Sequence, residues 1–246
     1  YNPNTQMFDG LTLQGAPLPP GGAYPLGTDL LGRDLLSRLL YGARTSLAIG
    51  IFANGIAVAI GALVGITAGF FRGWIGEILM RFTDLMMAFP ALLLAIVLAA
   101  IFEPSLWIVA LVIAMVNWVQ IARVIYTETS ALSERDFIEA ERALGAATAR
   151  ILGRHVLPHM VPTIVVWATL GISTTVLLEA TLSFLGIGIP ITEPSLGLLI
   201  KNGFDYMLSG DYWISFYPGI ALLVTIVSIN LVGDQLRDVL NPRLQK

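Results

Sequence analysis

Apolar runs of membrane length alternate along this chain with short polar islands. A spanning helix takes about 20 mostly apolar residues. Five stretches qualify, roughly 44–70, 82–102, 105–126, 161–187 and 213–233. The pattern predicts an all-α integral membrane protein with its spans in 44–233. The first run is long and rich in Gly and Ala, so it can cross at a tilt. Phe89-Pro90 should kink the second run or mark a change in its packing. Glu103-Pro104-Ser105 makes a tight turn into the third. Residues 1–26 read as loop, with Pro17, Pro19, Pro20, Gly21 and Gly22 clustered. Residues 29–42 read as a short amphipathic helix at the interface, with Leu31, Leu35 and Leu39 on one face. Residues 234–246 form a tail.

The longest polar island, 127–160, is itself patterned. Ser133-Glu134-Arg135-Asp136 reads as a helix start, with Ser133 as cap and acids in the first turn. Phe137, Ala140, Leu144, Ala147 and Ile151 then recur at helical spacing and give one apolar face. Glu139, Glu141, Arg142 and Arg150 lie mostly off that face. Gly145 interrupts the helix at about 1 kcal/mol relative to Ala, which points to a bend or a close approach. Pro158 should end the segment before the next span. A short amphipathic helix–bend–helix suits docking into a groove on another protein. A helix lying on the membrane surface would share the pattern.

Composition agrees with the membrane reading. Hydrophobic residues make up 56% of the 246 and charged residues 13%, about half the roughly 25% of a soluble domain. The length suits one helical bundle. Cysteine is absent, which excludes disulfides, thiol catalysis and cysteine–metal sites. A net charge of −3 gives no support for nucleic-acid binding.

Charge placement sets an orientation. One side of the predicted spans collects Arg72, Arg81, Arg123, Arg135, Arg142, Arg150, Arg154, Arg237, Arg243 and Lys246. The other holds Arg33, Arg38, Arg44 and Lys201. The first side should be cytoplasmic, and it contains the 127–160 loop and the tail. Residues 1–43 are then extracytoplasmic, and an odd number of spans implies a further one upstream of Tyr1.

Within the spans, Gly171, Thr175, Glu179 and Ser183 recur every four residues. A carboxylate within a span is costly and faces a bundle interior or a wet cavity. The stripe therefore either lines a translocation path or ties helices together through Glu179. Gly61, Gly65 and Gly69 form a small-residue stripe suited to close helix packing. His155 and His159 are four apart, a metal-ligand spacing. Pro158 interrupts that helix and no third ligand is near, so no metal site is expected. No nucleophile–base set suggests catalysis. A Walker A loop needs Gly-x-x-x-x-Gly-Lys-Ser/Thr. The chain's lysines are Lys201 and Lys246, neither preceded by Gly.

Several segments carry a family resemblance. Glu139-Ala140-Glu141-Arg142-Ala143-Leu144-Gly145, followed after nine residues by His155-Val156-Leu157-Pro158, resembles the EAA loop of bacterial ABC importer permeases. Gly27-Thr28-Asp29, Gly32-Arg33-Asp34, Ser37-Arg38 and Tyr41-Gly42-Ala43-Arg44 are similar to the opening of the conserved region in peptide and nickel permeases. Arg154-His155-Val156-Leu157-Pro158, Leu182-Ser183-Phe184-Leu185-Gly186-Ile187-Gly188, Asn230 to Asp238, and Asn241-Pro242 continue the likeness in the family's order. It runs from about Tyr24 to Leu244 and is nearest the C-type subunit of dipeptide and oligopeptide importers. Glu141 in place of the second Ala, and His159 in place of Asn, depart from the pattern.

The resemblance implies a type I ABC importer transmembrane domain, with five of an expected six spans present. It implies a permease of the bacterial inner membrane that forms the translocation path, and a second permease of similar fold. Two cytoplasmic ATPases would bind ATP and Mg, so this chain needs no cofactor. An extracytoplasmic binding protein would deliver a dipeptide or oligopeptide. Glu139, Ala140, Glu141, Gly145, His155, Leu157 and Pro158 would form the ATPase-coupling site. Nickel or another small ligand is the alternative cargo. A self-sufficient secondary transporter is the alternative class; it would use intramembrane ions and often internal repeats, and no convincing repeat is present.

Overall fold

The computed structural model describes residues 2–240. Asn241-Pro242 of the expected C-terminal motif, and Arg243 and Lys246 of the basic side, lie outside the described residues. The helices are α1 Leu35–Phe71, α2 Gly73–Met87, α3 Ala91–Ile101, α4 Leu106–Ser133, α5 Asp136–Ala143, α6 Thr148–Ile151, α7 Leu157–Phe184, α8 Leu196–Phe204 and α9 Trp213–Leu240. A π turn, Leu152–Val156, joins α6 to α7. Among the described residues, four helices are long and apolar enough to cross a membrane, taking 148–184 as one. The α2–α3 pair supplies a fifth crossing if it counts as one span.

That pair corrects the simplest reading of 82–102. The helices meet at 86°, and the first begins at Gly73. Proline disfavours helical geometry in the residue before it and cannot donate to the preceding turn, so the chain breaks at Phe89-Pro90. Two further expectations shift. No separate amphipathic helix covers 29–42: the chain turns through Asp29–Asp34 and enters α1 at Leu35. Helix α9 runs on to Leu240, through the first part of the segment expected as a tail.

The chain divides into two compact units. The first comprises Tyr1–Phe52, Ile96–Ala110 and Ile172–Ile229. Its leading segment is held by the residues of the opening motif. Asp34 caps α1, its carboxylate accepting from the Ser37 N–H at 2.9 Å and the Ser37 hydroxyl at 2.5 Å. Asp29 accepts from the backbone N–H groups of Leu31 and Arg33 and from Arg33 Nε. Arg38, fully buried, lies 3.3 Å from Asp29 and donates to Pro3 O at 3.1 Å. Thr28 donates to Gly10 O, and Trp213 Nε1 donates to Thr28 O. Leu35, Trp213 and Ile214 close the apolar core beside these contacts. Buried polar groups need partners, so this motif is the scaffold of the leading segment.

The second unit comprises Ala53–Ala95, Leu111–Gly171 and Asn230–Lys246. Its core gathers Phe70, Trp118, Ile121, Ile125, Leu132, Ile138, Ile151 and Val156. Here the glycine stripe of α1 meets α4. A Cβ at Gly65 would lie 2.6 Å from Ala122 O, and one at Gly61 2.7 Å from Ile121 Cβ. The stripe is therefore an internal contact where glycine lets two backbones touch. Gly233 of the Asn230–Asp238 motif abuts Leu170 in the same way. Basic residues segregate between the units. Arg33, Arg38, Arg44 and Lys201 belong to the first; Arg72, Arg81, Arg123, Arg135, Arg142, Arg150, Arg154 and Arg237 belong to the second.

Candidate functional site

The polar island folds as α5, a bend, α6, the π turn and the start of α7. Helix α5 has Asp136 and Glu139 in its first turn, where acids complement the helix dipole. Ser133 does not cap it. That hydroxyl donates to Thr129 O at 2.8 Å within α4, and the flanking residue of α5 is Arg135. At the other end the Gly145 N–H donates to Arg142 O and the Ala146 N–H to Glu141 O, both at 3.0 Å. With Gly145 at φ +80°, this is a Schellman closure, in which a left-handed residue satisfies the last carbonyls. A Cβ at Gly145 would meet open space. Within this chain the glycine supplies the bend, with no close approach to its own side chains or backbone.

Pro158 does not end the segment. The helix passes through it into α7, and the π turn lies just upstream. A proline ring crowds the carbonyl four residues back and leaves it without a donor; widening the preceding turn relieves both problems. Sequence periodicity carries no mark of such a turn.

The apolar face also turns out differently. Of the five expected positions only Ile151 is buried. Phe137 is 41% exposed and Leu144 85% exposed, while Ile138, outside the predicted set, is the residue of α5 that enters the core. Helix α5 has about two turns, and the bend at Gly145 breaks the helical phase, so spacing could not be carried from Phe137 to Ile151. Glu139, Ala140, Leu157 and Pro158 are exposed and Glu141 and His155 half-buried. The bend brings Glu141 and His155 together at 3.4 Å. The Phe137 ring stands 6.0 Å from that of His155 and 6.1 Å from that of His159. Of the two departures from the family pattern, His159 stands beside the Phe137 ring and Glu141 pairs with His155, the ring's other neighbour.

The stripe on α7 is divided between the units. Gly171, in the second, faces Asn54, whose amide donates to Trp167 O and Ala168 O. Thr175, Glu179 and Ser183, in the first, are all buried. Glu179 is inaccessible. Its Oε2 accepts from Ser46 on α1 at 2.8 Å, and its Oε1 accepts from Ser183 at 2.7 Å. The Ser46 hydroxyl also accepts from the Leu196 N–H at 3.3 Å, and Ser195 Oγ caps α8 by accepting from the Leu198 N–H. Through Ser46 the carboxylate is tied to α1 and the start of α8.

The described residues are those of a helical membrane protein. It has apolar crossings, an internal carboxylate held by hydroxyls, and a polar helix–bend–helix with apolar side chains left outside. The chain belongs to the family of binding-protein-dependent transport system inner membrane components, which matches residues 61–246. It is 42% identical over 227 residues to a putative peptide transport system permease of Brucella suis, covering 92% of this chain and 76% of that one. It is 39% identical to the di/tripeptide transport system permease of Pseudomonas aeruginosa, over all of this chain and 81% of the relative. A glutathione transport system permease of Pectobacterium atrosepticum is 38% identical, over 92% and 75%. Among solved structures, an inward-facing methionine ABC transporter aligns with a TM-score of 0.69 at 20% identity, over 84% of this chain and 98% of that one. That likeness gives the fold, the transmembrane domain of a type I ABC importer. The chain is a multi-pass inner-membrane permease subunit of an ABC importer. Such a subunit works with ATPase subunits, where the hydrolysis lies, and with a substrate-binding protein.

Proposed function

We propose that this permease carries small peptides, pairs with a second permease of similar fold, and is driven by two cytoplasmic ATPases that bind the ATP and Mg. An extracytoplasmic binding protein presents the peptide. The relatives named for peptide, dipeptide and glutathione transport support that cargo. Uptake of a labelled dipeptide mixture by the reconstituted complex, competed with glutathione and with nickel, tests it. Competition by nickel alone would move the assignment to the alternative.

The segment 127–160 is the ATPase-coupling site, with Glu139, Ala140, Glu141, Gly145, His155, Leu157 and Pro158 around its bend. The observation that carries this is the exposure of Phe137 and Leu144 on a charged, bent helix pair. An apolar side chain left in water gains about 1.5–3 kcal/mol on full burial, and a groove on the ATPase supplies that burial. The positive-inside rule puts the 127–160 loop on the cytoplasmic side and the leading segment outside. A cysteine at Glu141 should be labelled only from the cytoplasmic side and one at Asp9 only from outside, against a background without cysteine. Leu144→Asp tests the docking. It touches no internal contact, so the permease should insert and pair normally, yet lose most ATPase on co-purification. Full ATPase recovery with that variant would refute the assignment.

Within the stripe Gly171, Thr175, Glu179 and Ser183, we favour a framework role for Glu179 over lining the path. The support is that both carboxylate oxygens already accept hydroxyls, one from Ser46 on α1 and one from Ser183 a turn away on α7.

A further inference from the structure

Helices α1 and α2 meet at a single residue, Arg72, with φ 40° and ψ −170°. Among the described residues it alone combines a side chain with positive φ; Gly73 follows at φ 61°. A non-glycine residue held there costs about 1–3 kcal/mol, which glycine would not incur. The turn itself therefore gives no reason for arginine.

What arginine adds is reach. Arg72 Nη2 donates to Ser130 O at 2.8 Å, in the last turn of α4, and lies 2.8 Å from Glu134 Oε1, in the link to α5. Two residues before it, Phe70 lies in the second unit's core and carries the Arg142 guanidinium 4.9 Å above its ring. Arg142 is in the last turn of α5. The corner Phe70–Gly73 thus grips the segment just before α5 through Glu134 and the end of α5 through Arg142. Between them Ile138 is fully buried in the same core. The corner has little slack of its own, since a Cβ on Gly69 would stand 2.8 Å from Thr129 Cβ. Both partners of the Arg72–Glu134 pair are partly exposed, and such pairs add little to stability. Stability does not account for a strained arginine.

We infer that Arg72 is a positioning residue for transport coupling: it straps the α1–α2 corner to both the end of α4 and the approach to α5. A displacement of α5 is then delivered to α1 and α2 instead of being absorbed by the short Glu134–Arg135 link. Coupling between sites is carried by packed elements that move together, and the strap makes α5 and the corner such an element. The inference rests on the coupling role proposed above for 127–160.

The test uses the full complex in liposomes, with its ATPases, second permease and binding protein, and a labelled dipeptide mixture as cargo. In Arg72→Gly the backbone suits the new residue, so complex yield and thermal stability should hold or improve. Peptide delivered per ATP hydrolysed should fall about five-fold or more, the lower end of an ordinary coupling between sites. Arg72→Glu should fall likewise, and Glu134→Arg in the same chain should restore part of the ratio through the ion pair, while the bond to Ser130 O, which a carboxylate cannot make, stays lost. Normal transport per ATP in Arg72→Gly would overturn the inference, as would failure of the reversed pair to rescue. A lost yield with an unchanged ratio in the recovered complex would make Arg72 merely structural and would also overturn it. Leu144→Asp runs alongside. If it keeps its ATPase, the coupling role of the segment has failed; if it loses the ATPase while Arg72→Gly is fully coupled, only the strap has failed.

Discussion

The surroundings of Glu179 and the coupling segment place their side chains in opposite ways. In the first unit the most polar group of a span is hidden, and serine hydroxyls from α1 and from its own helix turn inward to meet it. In the second, Phe137 and Leu144 are turned outward, and the bend that displays them is closed by backbone bonds alone. A buried polar group with its partners supplied is part of the framework, because leaving it unmet would cost more than it contributes. In the coupling role proposed above, the exposed apolar groups beside the bend are what a groove on the ATPase would cover. On the proposed roles, the contrast separates what holds this permease together from what connects it to its ATPases.

The sharpest break in that contrast is Glu179→Ala. It removes a packed side chain and leaves the Ser46 and Ser183 hydroxyls without their acceptor. The expected loss is about 3 kcal/mol or more, read as lower complex yield and a lower melting temperature in detergent. Uptake per recovered complex should stay near that of the wild type. An intact yield with altered uptake would move Glu179 into the path. Glu179→Gln keeps the volume and one acceptor, so its effect on yield should be smaller.

Gly145 gives the next effect down. Its φ of +80° costs an L-residue about 1–2 kcal/mol, while the space around it is open. Gly145→Ala and Gly145→Glu should therefore strain the bend equally and lower the melting temperature alike. They should part on function: the glutamate adds a charge beside Leu144 and should weaken ATPase recovery further. Equal ATPase recovery in the two variants would place position 145 outside the docked surface.

The sequence exposed the membrane class, the number of apolar runs and the division of basic residues, because these depend on composition along the chain. The Phe89-Pro90 break and the Gly145 bend were also legible, since proline and glycine act locally. Three things were not. The π turn before Pro158 relieves a clash that depends on where the preceding turn lies. The burial of Ile138 in place of Phe137 follows from a helix too short to set its own phase. The strained Arg72 looked like one more positive charge, for nothing in Phe71-Arg72-Gly73 signals its backbone angle. The opening motif was recognisable by resemblance, but its work in binding the leading segment to α1 and α9 appears only once Asp29, Arg38, Thr28 and Trp213 are seen together.

The smallest expected effect belongs to Glu141→Ala, which restores the alanine of the family pattern. Glu141 and His155 stand 3.4 Å apart with about a third and a quarter of their side chains exposed, and the pair is ionic only with a protonated imidazole. Exposed pairs of this kind contribute roughly 0.2–1 kcal/mol, and less as salt screens them. The Schellman bonds at Gly145 and the burial of Ile138 survive the substitution, so the bend should keep its shape. The variant should assemble with its ATPases as the wild type does, and any drop in melting temperature should fade at high salt. If Glu141→Ala instead releases the ATPase at every salt concentration, Glu141 contacts the partner directly, and the exposed apolar residues are not the whole docking surface.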